Sequence, residues 1–156
     1  MRVGLGFDVH PFGGDGPLRL AGLDIDGPGL AGHSDADAVA HAVADALLGA
    51  VGLPDLGTLY PASDETYRDA DSMVLLGDVV ARVGQDGWRA VNVDVVVAAE
   101  TPRLGPYVAA MCERLTSVVG CPANVKAKRG EGLGAIGRAE GIAAWAVALL
   151  EPRRRT

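Results

Sequence analysis

Residues 36–51 predict the clearest helix of the chain, and its two faces restrict what can surround it. Apolar residues recur at helical spacing along one face: Val39, Val43, Leu47 and Ala50. This face must pack against other elements. Asp37, His41 and Asp45 follow one another at intervals of four residues and form a separate polar stripe. Ser34 is the predicted N-cap of the helix, with Asp37 as the acidic partner of a capping box.

The remaining segments predict a mixture of strands and further helices. Strands are predicted at residues 2–10, 18–23, 90–99 and 123–127, helices at 71–83 and 106–119, and loops at 53–64 and 130–137. Residues 140–150 fit a helix by their alanine content, or a buried strand by their length and their place after a glycine-rich loop. This irregular order is typical of a single α+β domain with helices packed on one face of a sheet.

Charge and composition argue against several classes of partner. The net charge of −6 disfavours nucleic acid, because phosphate backbones are bound by clustered cations. No apolar run is long enough to span a bilayer, and residues 1–5 enter a strand pattern rather than a signal peptide. Cys112 and Cys121 form no CxxC motif and are interpreted as free thiols of a reducing compartment, so we expect a cytoplasmic protein.

Asp8, His10 and His41 are the candidate metal ligands. Asp8 and His10 lie two residues apart in a predicted strand, so their side chains point to one face and can reach one ion. His41 would complete three nitrogen and oxygen ligands, which leave the open fourth position usual at catalytic zinc. Manganese, iron and cobalt also suit this set. By itself, however, a D-x-H pattern is a weak signal, and a helix histidine is more often simply packed or exposed. Asp45 could hold the second ring nitrogen of His41, or could be a solvated or helix-capping acid.

Motifs along nearly the whole chain resemble one family of enzymes. They are found at residues 6–12 (GFDVHPF), 32–37 (GHSDAD), 41–42, 45–50 (DALLGA), 55–57, 71–72, 92–94, 102, 124–127 (NVKA) and 137–143 (GRAEGIA). In this order and spacing they resemble 2-C-methyl-D-erythritol 2,4-cyclodiphosphate synthase. Their co-occurrence is far more specific than any single motif among them.

The resemblance implies both a fold and a reaction. The fold would be a ferredoxin-like α+β domain over residues 1–156, with a four-stranded mixed sheet, assembled as a homotrimer with active sites between subunits. Residues 140–150 would then form a strand. The reaction would be that of a lyase of the non-mevalonate isoprenoid pathway. The 2-phosphate of 4-diphosphocytidyl-2-C-methyl-D-erythritol 2-phosphate attacks the β-phosphorus, releasing CMP and the 2,4-cyclodiphosphate. Because the nucleophile is already anionic, catalysis is mainly positioning and charge neutralisation.

The resemblance also implies roles for individual residues. Asp8, His10 and His41 would bind zinc, and Glu131 would hold magnesium or manganese on the diphosphate, although a loop glutamate is usually just solvated. His33, as a catalytic residue, and Ser34 would contact phosphate at a helix start, where free N–H groups favour anions; a simple cap is the alternative. The ribose would contact Asp55, Leu56 and Gly57, and the methylerythritol would face Tyr60, Pro61, Ala62, Ser63 and Asp64. The neighbouring subunit would contribute Ala99, Glu100, Thr101, Pro102, Arg103, Leu104, Gly105 and residues 127–131.

Two further positions complete the implied set, Ala135 and Arg138. Arg138 matches a residue near the trimer axis, where an isoprenoid diphosphate could bind. It could equally form an ordinary ion pair with Glu140, and we prefer that interpretation.

Some positions depart from the family pattern. Lys128, Arg129 and Gly130 stand where the family has a run of threonines, one of which steadies the transition state at position 129. Arg129, assigned here as catalytic, could bind phosphate bidentately, could fill the nucleotide pocket, or could point with Lys128 to solvent. The remaining departures are single exchanges: Arg103 for lysine, Ala62 for aspartate, Pro54 for glycine, and Leu5 where some members have histidine.

Two other functions compete with the synthase. The first is a diverged trimer that binds a nucleotide or an isoprenoid diphosphate without turnover, which Lys128, Arg129 and Ala62 favour. The second is an unrelated metal-dependent hydrolase with the same Asp-His-His set, for which the sequence offers no convincing water-activating base.

Overall fold

The computed structural model describes residues 1–153 of the chain. Within them the strands are β1 (Arg2–Gly14), β2 (Leu18–Leu20), β3 (Leu23–Ile25), β4 (Gly29–Leu30), β5 (Trp88–Ala98), β6 (Ala123–Lys128) and β7 (Gly141–Pro152). The α-helices are α1 (Ala38–Val51), α2 (Leu56–Leu59), α3 (Ser72–Gln85), α4 (Val108–Val119) and α5 (Gly134–Gly137), and two 3-10 turns span Glu65–Tyr67 and Gly105–Tyr107.

One mixed sheet organises the molecule. Its strand order is β4-β1-β7-β5-β6, and β2 pairs with β3 in a separate hairpin. The pair β5 and β6 is parallel, whereas the other pairs of the sheet are antiparallel. The expected four-stranded sheet is therefore corrected to five strands. The additional strand, β4, has two residues and pairs with the end of β1, so it is too short to produce a periodic signal.

Helix α1 lies directly on the backbone of β1. A Cβ atom added to Gly4 would lie 1.8 Å from the carbonyl oxygen of Ala46, and one added to Gly6 would lie 1.9 Å from that of Ala42. The predicted apolar stripe of α1 is buried, and the alanines of β7 that share this side of the sheet are buried too. Small residues on two strands thus let the helix approach closely, and this approach positions His41.

The opposite side of β1 is apolar and exposed. Its alternate residues have exposed fractions of 49–68%: Val3, Leu5, Phe7 and Val9. Trp145 and Val147 of β7 pair with Phe7 and Leu5 and are 40% and 44% exposed. The sheet therefore has one face covered by helices and one open apolar face.

The structure settles the element that the sequence left open. Residues 141–152 form the central strand β7, paired on both sides. Pairing with two neighbours outweighs the helix propensity of its alanines, since propensity is a weak local preference. The strand implied by the family resemblance is confirmed.

Several predicted boundaries are wrong in detail. The N-cap of α1 is Asp37 rather than Ser34, and the helix begins at Ala38. The strand at 18–23 is the hairpin of β2 and β3, the loops at 53–64 and 130–137 contain α2 and α5, and the helix predicted from 106 begins at Val108 after a 3-10 turn. β1 continues to Gly14. Cys112 and Cys121 are free thiols, as predicted. No helix within residues 1–153 has the length and apolar character needed to cross a membrane.

Candidate metal centre

Three side-chain atoms from two elements converge on one point. The Oδ2 atom of Asp8 lies 2.9 Å from Nε2 of His10 and 3.0 Å from Nδ1 of His41. The two histidine nitrogens are 3.3 Å apart. Atoms at these separations can all lie about 2 Å from a common point, which is the usual zinc–nitrogen and zinc–oxygen bond length. The predicted Asp-His-His set is therefore assembled, and its donor chemistry fits a divalent ion.

The sheet and the helix each contribute to this arrangement. Asp8 and His10 lie on the helix-facing side of β1, in register with Gly4 and Gly6. Because α1 rests on those glycines, His41 projects from the helix back toward the strand. The local i, i+2 spacing was readable from the sequence, whereas the approach of His41 depends on helix packing.

Mutual interactions shift the pKa values of two ligands. Burial raises the pKa of Asp8, but hydrogen bonds from His10 and His41 outweigh it and hold that pKa well below its usual range. Burial lowers the pKa of His10, but the hydrogen bond and the charge of Asp8 outweigh it, and the net effect raises the pKa. The carbonyl of Ala31 lies 2.9 Å from the other nitrogen of His10, Nδ1, and orients the ring. The centre thus favours positive charge at its midpoint.

The proposed contact between Asp45 and His41 is absent. Asp45 instead accepts a hydrogen bond from the backbone N–H of Leu56 at 2.8 Å, so its carboxylate holds the start of α2. The outer nitrogen of His41, Nε2, lies 2.8 Å from the Oγ of Ser72 and 3.3 Å from that of Ser34. Ser72 belongs to the motif at residues 71–72 but was given no role from the sequence, because 31 residues separate it from His41 and only the fold brings them together.

His33 and Ser34 reach the same site, but the reason given for their phosphate contact is wrong. The first N–H groups of α1 are occupied by the side chain of Asp37, at 3.1 and 2.9 Å. The N–H groups of Val39 and Ala40 are therefore not free to bind an anion, and the buried carboxylate of Asp37 occupies the helix start. Nε2 of His33 lies 3.1 Å from the carbonyl of Asp64, and Ser34 faces His41.

A cavity of about 250 Å³ opens beside the ligand atoms. The predicted residues on its wall are His33, Ser34, Leu56, Gly57, Tyr60 and Ala62, and Tyr67 and Leu75 line it without having been predicted. Asp55 and Asp64 cap the short helices that follow them, where N–H groups of Thr58 and Thr66 hold each carboxylate. Pro61 and Ser63 do not line this cavity.

A second cavity, of about 430 Å³, lies at the ends of β5 and β6. The predicted residues that line it are Ala99, Glu100, Pro102, Arg103, Leu104, Gly105, Ala127, Lys128 and Arg129. The other predicted residues of this region do not line it: Thr101, Gly130, Glu131, Ala135 and Arg138. Three cationic side chains and one carboxylate thus line this cavity, although the whole chain has a net charge of −6.

The carboxylate of Glu100 pairs with the guanidinium of Arg129. Glu100 also accepts a hydrogen bond from the backbone N–H of Gly130 at 3.1 Å. The hydrogen bond from Arg129 lowers the pKa of Glu100. The carboxylate of Glu100, which belongs to the same chain, therefore holds Arg129 at the edge of the cavity.

Within the chain the two cavities lie on different strands. Asp8 pairs with Ala144, which pairs with Val97, which in turn pairs with Ala127. Three strand spacings correspond to roughly 14 Å.

Arg138 forms an ion pair with Glu140, with 2.6 Å between Nε and Oε1. This is the interpretation of Arg138 that we preferred from the sequence.

Comparison with known proteins gives consistent matches. The YgbB family model matches residues 1–151. The 2-C-methyl-D-erythritol 2,4-cyclodiphosphate synthase of Bordetella petrii is 51% identical over 153 residues, which cover 96% of this chain and 94% of that protein. A solved structure of 2C-methyl-D-erythritol-2,4-cyclodiphosphate synthase in its CDP-bound form has a TM-score of 0.87 at 36% identity, over 96% of this chain and 100% of the other. The bifunctional IspDF of Campylobacter jejuni has a TM-score of 0.92 at 41% identity; the match covers 97% of this chain and 42% of that one.

Proposed function

The chain belongs to the YgbB family, and on that premise we propose that it is a cyclodiphosphate synthase, a lyase of isoprenoid biosynthesis. Its substrate is 4-diphosphocytidyl-2-C-methyl-D-erythritol 2-phosphate. The 2-phosphate oxygen bonds to the β-phosphorus, the bond to the cytidylyl oxygen breaks, and CMP leaves with that electron pair. The convergence of Asp8, His10 and His41 is the structural observation that carries this assignment.

We propose zinc as the ion of this centre, because two imidazoles and one carboxylate suit it. When bound, such an ion polarises a phosphoryl oxygen and neutralises developing charge. The chain's own residues hold and orient the reactants. His33 and Ser34 line the adjoining cavity and are the groups we assign to phosphate contact. The segment 55–64 is assigned to the ribose and the methylerythritol.

We assign the second cavity to the cytidine diphosphate part of the substrate. Arg103, Lys128 and Arg129 supply the positive charge that a diphosphate requires from an acidic protein. In this assignment Arg129 exchanges Glu100 for a phosphate oxygen, which it can contact bidentately. Glu131, which is exposed beside this loop, is assigned to a magnesium or manganese ion on the diphosphate.

A homotrimer is the assembly that we propose. The apolar face formed by β1 and β7 includes Leu5 at 68% exposure and Trp145 at 40%, and an exposed face of this kind marks an association surface. The cavity beside the metal centre and the cavity at the ends of β5 and β6 lie about 14 Å apart across the sheet of one subunit. In the proposed trimer, the first cavity of one subunit would face the second cavity of its neighbour, and the two would form one active site. Analytical ultracentrifugation tests this: a monomer at micromolar concentration contradicts it.

The second candidate function is binding without turnover. The observation that favours it is the Glu100–Arg129 pair, which occupies the group assigned to catalysis. In that case cytidine diphosphate binds, but the substrate releases no CMP.

Two free thiols support a reducing compartment, and we propose that the protein is located in the cytoplasm.

One assay separates these functions. Purified protein is incubated with the substrate, zinc and magnesium, and CMP is measured by chromatography. The wild-type protein and an Asp26→Asn control, altered at an exposed carboxylate, should release CMP, whereas Asp8→Asn should lose most activity. Wild-type protein that binds cytidine diphosphate but releases no CMP would establish the binding function instead.

A further inference from the structure

Ser72 connects the metal centre to a carboxylate outside it. The residue opens α3 and is 1% exposed. Its Oγ lies 2.8 Å from Nε2 of His41, and it hydrogen-bonds Oδ1 of Asp35. The backbone N–H of Ser72 donates to the other oxygen of Asp35, Oδ2, at 3.1 Å. Asp35 thus binds Ser72 at two points, while Ser72 touches a metal ligand.

The chemistry of these groups determines where the protons lie. A carboxylate accepts hydrogen bonds and donates none, so the hydroxyl of Ser72 donates to Asp35. The same oxygen then offers only lone pairs to His41, whose Nε2 must carry the proton. In the metal-free protein Nδ1 of His41 donates its proton to the carboxylate of Asp8. When an ion replaces that proton, the neutral ring would keep its other proton on Nε2, and Nδ1 would offer its lone pair at the point that it shares with Asp8 and His10.

Further contacts hold Asp35 in place. Nη1 of Arg19 lies 3.6 Å from Oδ2 of Asp35. The backbone N–H of Asp37 donates to Oδ1 at 3.3 Å. The outer nitrogen of His10 has a simpler partner, the backbone carbonyl of Ala31, which no side-chain substitution removes. Of the two histidines, His41 is therefore the one whose support can be altered by mutation.

We propose that Ser72 and Asp35 are positioning residues of the metal centre: they orient His41 and keep its proton on Nε2, so that Nδ1 binds the ion. This inference rests on the proposed metal site, but it does not require turnover. Outer partners of metal-bound histidines contribute about 10–100-fold to metal affinity or activity.

Asp35→Asn gives the sharpest test, because it is nearly isosteric and reverses the polarity of the chain of hydrogen bonds. The backbone N–H of Ser72 requires an acceptor, so the amide oxygen stays there and the NH₂ group turns to the hydroxyl of Ser72. That hydroxyl then donates to Nε2 of His41 and moves the imidazole proton to Nδ1, the ligand atom. We expect zinc affinity, measured by competition with a chelator, to fall by about 10–100-fold. Ser72→Ala should weaken binding within the same range.

Two readouts distinguish positioning from a general structural role. The absorption spectrum of the cobalt-substituted protein reports the ligand geometry, and urea unfolding of the metal-free protein reports stability. We expect Asp35→Asn to change the cobalt spectrum, and the controls Asp26→Asn and Ser117→Ala, at exposed positions, to change neither readout nor zinc affinity. Unchanged zinc affinity and an unchanged cobalt spectrum in Asp35→Asn and Ser72→Ala would overturn the proposal, as would a loss of unfolding stability without any change in metal binding. A wild-type protein that binds zinc but releases no CMP would refute the synthase function while leaving this comparison decisive.

Discussion

Replacing Gly6 by alanine tests whether the contact between α1 and β1 sets the geometry of the metal centre. The added Cβ would lie 1.9 Å from the carbonyl oxygen of Ala42 and 2.7 Å from the backbone nitrogen of Ala46. Non-bonded carbon contacts are favourable at about 3.5–4.0 Å, so strand and helix must separate by more than about 1 Å. Both obstructing atoms belong to backbone and cannot rotate away.

This displacement should affect both stability and metal binding. Overpacking of a core contact typically costs about 1–3 kcal/mol of unfolding free energy. Ala42 adjoins His41, and metal–ligand distances hold to within about 0.2 Å, so the helix shift should weaken zinc binding by at least about tenfold. Urea unfolding and chelator competition measure the two effects in the same preparation.

Gly77→Ala provides the matched control. Gly77 lies within α3, and a Cβ added there meets nothing within 4 Å. The substitution should raise the unfolding free energy by about 0.5–1 kcal/mol, because alanine favours a helix over glycine, and zinc affinity should not change. If Gly6→Ala keeps its unfolding free energy within about 0.5 kcal/mol of wild type and binds zinc equally well, the close approach of α1 does not determine the centre.

Other substitutions test the remaining parts of the structure. Asp37→Ala should lower the unfolding free energy in urea by about 3–5 kcal/mol, because four backbone N–H groups lose their acceptor; a loss below about 1 kcal/mol would contradict this. Glu100→Gln should tighten cytidine diphosphate binding several-fold in calorimetry by releasing Arg129, whereas Glu113→Gln should not; weaker binding would show that Glu100 itself holds the ligand. The folded-state pKa of Asp8 is depressed, so its contribution to the stability of the metal-free protein is present above the unfolded pKa of about 4 and lost as pH falls through the folded value. In Asp8→Asn, the unfolding free energy of the metal-free protein should therefore fall less steeply as the pH drops below about 4. The same pH dependence in the variant and the wild type would refute this contribution of Asp8.

Local patterns in the sequence predicted part of the candidate site correctly. The spacing of Asp8 and His10 placed both side chains on one face of a strand, which is a property of any extended chain. His41 was identifiable as part of the polar stripe of a helix whose other residues are apolar. The apolar stripe of that helix also predicted which face would be buried. Each of these inferences needed only residues close together in the chain.

The outer contacts of the site could not be predicted in this way. Asp45 seemed a suitable partner for His41 because the two lie one turn apart, yet its carboxylate binds Leu56. The actual partner, Ser72, is 31 residues away and is brought in by the packing of α3 against α1. Asp37 was predicted to be the acidic partner of a capping box and part of a polar stripe. It is instead the N-cap itself, fully buried, and it also binds the turn between β2 and β3.

By itself, the sequence determined the elements with strong periodicity, the candidate metal ligands Asp8 and His10 with their local spacing and, through the order of its motifs, the family. Only the tertiary structure decided that the strand at residues 141–152 pairs on both sides at the centre of the sheet, that a two-residue strand completes the sheet, and that Ser72 rather than Asp45 contacts His41. The physical reason is the range of the interactions involved. Periodicity and i, i+2 spacing are imposed by the local backbone, whereas strand pairing, helix contact at glycine and outer hydrogen bonds join residues tens of positions apart.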